Sequence, residues 1–253
     1  MTKFVKNFNS WMSSATNDMS EQQIYQVATS AVCSIGTRIQ LADGKVYYYS
    51  SSDSDIAVAH LLESYDTDKS SFTVATAVAV GDDSISLTMA AVTYANEFSG
   101  SAIHDAAGNT YRISGNPADS TGAATITFTL SEPVRVAIAA AVTCTAMHNR
   151  YYNVDTSAQN AQVVGLCPIA ITAGTDSDTY YFWAQTWGPA IVDCDFGSGC
   201  NDGDLAIQSA TGGEAAPQTQ TGSADTAIEM SIGTCMEPMD ADGYFWIDLH
   251  IRP

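Results

Sequence analysis

The chain has 253 residues, of which 45% are apolar and only 15% charged. That is enough apolar material for one large or two smaller packed cores, and it excludes a disordered chain. Acids outnumber bases 28 to 9, a formal net charge of -19, which argues against nucleic acid as a partner because phosphate binding needs clustered Lys and Arg.

Residues 1–29 read as an N-terminal arm followed by a short helix. The arm is polar and carries Phe4, Phe8 and Trp11 beside Lys3 and Lys6. It lacks the continuous apolar stretch of a signal peptide, so the expectation is synthesis in the cytoplasm without the general secretion route. Ser20 and Gln23 have the spacing of a capping box, and Ile24, Val27 and Ala28 fall near one helical face, which predicts a helix in "SEQQIYQVATSAV".

From Ile35 the pattern changes to alternating strands and turns. "TRIQLADGKVYYYS" reads as a hairpin turning at Asp43-Gly44. "SFTVATAVAV", "DSISLTMAAVTYA", "NTYRISG", "ATITFTLS" and "VTCTAM" read as further strands, and Pro133 in "EPVRVAIAAA" suggests a helical turn. The polar stretch "NVDTSAQNAQ" is the best candidate boundary. It divides a β domain over 30–155 from a second over 156–253, read as strands in "GLCPIAITA", "DTYYFWAQTWG", "PAIVDCD", "DLAIQSA", "AIEMSIGTCM" and "YFWIDLHI". "TGGEAAPQTQTGSAD" reads as a loop. The expected fold class is all-β, with two β-barrel or sandwich-like domains behind the arm and helix. No run of about 18 apolar residues exists, so no membrane span or membrane partner is expected.

The chemistry-bearing residues form no catalytic pattern. There are four histidines, with no GxSxG and no HExxH. His104 and Asp105 are neighbours on a strand and point to opposite faces. Asp193, Asp195, Asp202 and Asp204 cluster as calcium ligands do, but the EF-hand spacing fails because Gly197 and Ser198 occupy a ligand position and the required glycine. The six cysteines form no CxxC and read as unpaired structural thiols. The expectation is therefore no catalytic residue, no metal and no cofactor.

The most aromatic segment is "YYFWAQTWGPAIV", from Tyr180 to Val192. On a strand, Tyr181, Trp183 and Gln185 share one face while Tyr180, Phe182, Ala184 and Thr186 share the other. Aromatics on both faces require both to be covered, so Tyr181, Trp183 and Trp187 are candidates for core, for a subunit interface, or for a ligand site.

The order of "PIAITAGTDSDTYYFWAQTWGPAIV", "NDGDLAIQSATGGEA" and "SIGTCMEPMDADGYFWIDLHI" resembles the β-barrel head decoration, or cement, proteins of tailed bacteriophages, in the broad class of the lambda head decoration protein. "GTRIQLADGKVYYY", "DAAGNTYRISGNPA" and "TFTLSEP" are similar to phage structural proteins of comparable length. The resemblance spans about residues 30–253 and implies a virion component without catalytic residues. It also implies a homotrimer on the outer capsid surface, clamping neighbouring major capsid protein subunits. On this reading the arm, with Lys3, Phe4, Lys6, Phe8 and Trp11, contacts the capsid, because buried aromatics dominate interface affinity. A head-fibre or tail module that binds a receptor or carbohydrate is the alternative.

Overall fold

A computed structural model describes residues 24–64, 70–89, 95–118, 125–156, 162–172, 179–195, 200–218, 231–238 and 243–251. The chain is all-β, and among the described residues there is no helix. Residues 20–23 of the expected helix lie outside the described residues. From Ile24 to Val32 the chain runs through turns and one bridge, in which Ala28 exchanges both backbone hydrogen bonds with Tyr181, at 2.9 and 2.8 Å. The helix reading fails because the apolar residues serve two cores. Val27 packs into one cluster and Ile24, Val32 and Cys33 into another, which a single helical face could not do. The helical turn expected at Pro133 is also absent, since Val134 and Ile138 donate backbone N–H groups to Asp82 and Val78.

Six antiparallel strands close into a barrel: β4 (Ser70–Val74), β5 (Ser84–Thr88), β6 (Ala102–Asp105), β7 (Thr110–Gly115), β8 (Thr125–Leu130) and β9 (Thr143–Ala146), in the order β4-β5-β8-β7-β6-β9. Alternation explains it. In β8, Ile126, Phe128 and Leu130 point inward while Thr125, Thr127 and Thr129 face solvent, which suits a pleated surface wet on one side. The interior is filled by side chains, with Phe98 edge-on to both Phe72 and Phe128. Closure leaves no edge strand for unwanted pairing.

The other nine strands among the described residues form one sheet: β1 (Arg38–Gln40), β2 (Val46–Ser52), β3 (Leu61–Glu63), β10 (Val163–Leu166), β11 (Tyr180–Asp193), β12 (Leu205–Gln208), β13 (Ala215–Pro217), β14 (Gly233–Cys235) and β15 (Tyr244–His250). The β1–β2 hairpin turns at Asp43-Gly44 as its sequence predicts, with Gly44 at φ 89°. Strand pairing crosses the boundary expected at 155/156. β1, β2 and β3 pair into the same sheet as β10–β15, and the barrel is inserted between β3 and β10. Closure thus occurs over residues 70–146, whereas the strands of 156–253, expected to form a barrel, belong to the nine-stranded sheet.

β11 is the spine of that sheet. It is one 14-residue strand, not two joined at Gly188-Pro189. Pro189 fits because β2 pairing ends at Trp187↔Val46, so its missing N–H removes no bond to β2. The first half of β11 pairs with β2 on one edge and meets β10 on the other, while the second half pairs with β15. The first half is buried on both faces, with Phe182 and Ala184 in one cluster and Trp183 with Tyr47 and Tyr49 in another. In the second half burial alternates, and Trp187, Pro189 and Ile191 are exposed.

Candidate interaction face

The change in β11 is built by a bulge. Gln185 pairs with Tyr47 and Trp187 with Val46, so Thr186 is an extra residue on β11. A bulge re-aims the side chains that follow it. The buried amide of Gln185 holds it, with Nε2 within 3.1–3.3 Å of the carbonyl oxygens of Trp187, Gly188 and Pro189. Gly188 has φ 89°, and a Cβ there would lie 3.2 Å from Lys45 Cγ, so "QTWGP" specifies the turn-out of Trp187.

Beyond the bulge an apolar band crosses the sheet. Trp187 and Ile191 are 42% exposed, and Trp246, opposite Ile191, is 43% exposed. Trp187 lies opposite His250 with ring centroids 4.7 Å apart. Leu205 on β12 and Met236 just after β14 are also exposed, and Met236 donates its backbone N–H to Trp246. A hollow of about 310 Å³ beside Trp187 is lined by Arg38, Tyr48 and Ile251. Asp248, between the two tryptophans in register, pairs with His250 at 3.0 Å. Large exposed apolar residues gathered on one sheet face mark an interaction surface better than scattered ones do.

The three candidate aromatics therefore part company. Trp183 is fully buried and its ring meets Tyr49 at 5.0 Å. Tyr181 is half-buried and stacks on Tyr49. Only Trp187 is a surface group, so a paired Trp183–Trp187 ligand platform is not available. Lys3, Phe4, Lys6, Phe8 and Trp11 lie outside the described residues. Sequence reading missed Ile191 and Trp246 as surface groups, because both sit in strands whose exposed face only the pairing reveals.

The polar clusters are occupied with local structure. His104 Nδ1 meets Thr110 Oγ1 at 2.8 Å, while Asp105 accepts from the backbone of Ala107 and Asn109. His60 Nε2 lies 3.1 Å from Asp193, Ser209 bonds Asp195, and Asn201 bonds Asp204. Burial, then Asp193 and Asp195, raise the pKa of nearby Glu214, and His60 opposes the rise. Among the described residues no group of three or more His, Cys, Asp or Glu side chains is arranged to hold a metal ion. All six cysteines are free thiols, and five of them are buried.

A second concavity lies on the seam between barrel and sheet. It is a cavity of about 520 Å³. Asn149 rivets its floor. Its Nδ2 donates to Ile35 O at 3.0 Å and to Ser99 O at 2.6 Å, and its Oδ1 accepts from Tyr151 N at 3.0 Å. Gly36 and Gly100 flank it at positive φ, and a Cβ on either would lie 3.2–3.3 Å from Asn149 Nδ2. His148 also lines the cavity, with Nδ1 3.2 Å from Glu97 Oε1, and burial lowers its pKa. Comparison of the chain with protein-family models, with curated proteins and with solved structures finds no match.

Proposed function

We propose that the chain is a structural protein of a tailed-phage head, which decorates the outer capsid surface and clamps neighbouring major capsid protein subunits as a homotrimer. The observation that supports this is the exposed apolar band of Trp187, Ile191 and Trp246, set out by a dedicated bulge on a strongly acidic chain. Each of these side chains would contribute about 1 kcal/mol when its remaining exposed area is covered. Three copies of the band in a trimer multiply that small gain through effective concentration. The acidic remainder keeps a crowded particle soluble. A protein that binds only the expanded shell stabilises that shell by mass action. In this reading the arm adds contacts through Phe4, Phe8 and Trp11, with Lys3 and Lys6, and the protein acts in the virion without a catalytic role.

The test is co-sedimentation of the purified chain with expanded and unexpanded heads that lack it. Saturable binding to expanded heads, in a fixed ratio to major capsid protein, is the expected result. Absence of binding to either form would overturn the reading. A head-fibre or tail module that binds carbohydrate is the second reading, and the seam cavity is the observation that favours it.

A further inference from the structure

The seam cavity differs in charge from the rest of the molecule. Acids make up 28 of the 253 residues, yet no Asp or Glu is among the described residues that line it. Two of the five arginines, Arg112 and Arg150, do line it. Neither has an ion-pair partner among the described residues, Arg112 being exposed and Arg150 half-buried, whereas Lys45 and Arg135 each have a carboxylate within 3.8 Å. In a chain with three acids for each base, two arginines without a carboxylate partner on the lining of one cavity are not a by-product of composition. They keep donors free for an anion, and the guanidinium fork suits a carboxylate.

The other lining groups narrow the ligand. Ser34, Ser101 and Ser131 bring hydroxyls that make no hydrogen bond to the described residues. Such groups both donate and accept, which matches a polyhydroxylated molecule better than a bare ion. The volume is in the range of small-molecule sites. A net charge of -19 disfavours ligands with several negative charges, so one carboxylate on a hydroxyl-rich body fits best.

We propose that the seam cavity binds a small acidic saccharide, whose carboxylate is taken by Arg112 and Arg150 and whose ring hydroxyls meet Ser34, Ser101 and Ser131. The site uses different residues from the apolar band and does not depend on the capsid reading.

Isothermal titration of the full chain tests it with three probes: a disaccharide carrying one glucuronic acid, its neutral glucose counterpart, and inorganic phosphate. The expected result is saturable binding of the glucuronate, with the neutral sugar and phosphate each about tenfold weaker or more. The double variant Arg112→Ala/Arg150→Ala should lose the glucuronate binding while its circular dichroism is unchanged. No glucuronate binding at millimolar concentration overturns the proposal. So does equal binding of the neutral sugar, equal binding of phosphate, or unchanged binding by the folded double variant. The comparison of probes on the unaltered chain decides the question even if the double variant fails to fold.

Discussion

Asn149→Ala removes the side chain that ties the barrel to the sheet. Asn149 comes three residues after β9 and is only 7% exposed, and its three hydrogen bonds reach Ile35 before β1, Ser99 before β6, and Tyr151. Each bond contributes about 1 kcal/mol net, and a buried partner left unsatisfied costs about 1–3 kcal/mol. The adjacent cavity lets water reach part of the site, which holds the total near the lower figure, about 3 kcal/mol. For a chain of this length that is a fall of about 6–12 °C in Tm. Asn149→Asp should cost more, because a carboxylate oxygen would face the carbonyls of Ile35 and Ser99 where an N–H₂ now donates. Differential scanning calorimetry reads both variants. A loss below about 1 kcal/mol for Asn149→Ala would refute the view that this residue couples the two units.

Further predictions concern pH, thiols and the arm. Burial lowers the pKa of His148, so the unfolded state binds the extra proton first as pH falls through about 6.5. Stability should therefore drop from neutral pH toward the lower folded pKa, and His148→Gln should flatten that part of the urea-midpoint profile; an unchanged slope would contradict the assignment. Burial raises the thiol pKa of Cys33 and Cys194 to about 11 and of Cys167 to about 12. The native protein should thus react slowly with Ellman's reagent at pH 7.5, with half-buried Cys33 first, and release all six thiols on unfolding; rapid native reaction of several thiols would show the cores to be open. Deleting residues 1–15 should weaken head attachment and leave Tm unchanged, and full attachment of the truncated chain would remove the arm from the interface.

Local pattern carried much of this architecture. Ile126, Phe128 and Leu130 alternate strictly with threonines, and Asp43-Gly44 marks its hairpin, so β8 and the β1–β2 turn were legible. What failed was long-range. Nothing local says that β2 pairs with β11, more than a hundred residues later, so the inserted barrel was unreadable. Ala28 abandons a helical pattern because the edge of β11 offers it two backbone bonds. Gly188-Pro189 looks like a corner, yet Gln185 stabilises a bulge there and the strand continues. The candidate face was half visible. The aromatic segment was evident, but that Trp183 is core and Trp187 is surface follows from the bulge, and the exposure of Trp246 follows from its place opposite Ile191. Asn149 had no signal at all, since its role depends on two glycine turns distant in sequence.

In the proposed function, the band on β11 and β15 is the surface that meets the shell. Hydroxyl-radical footprinting, read by mass spectrometry on free chain and on chain bound to expanded heads, tests it directly. Trp187, Trp246 and Met236 are all exposed in the free chain, so each should be oxidised there and protected on the head, while Met147, exposed just after β9 of the barrel, serves as an internal reference. Undiminished oxidation of Trp187 and Trp246 on saturated heads would remove the band from the interface.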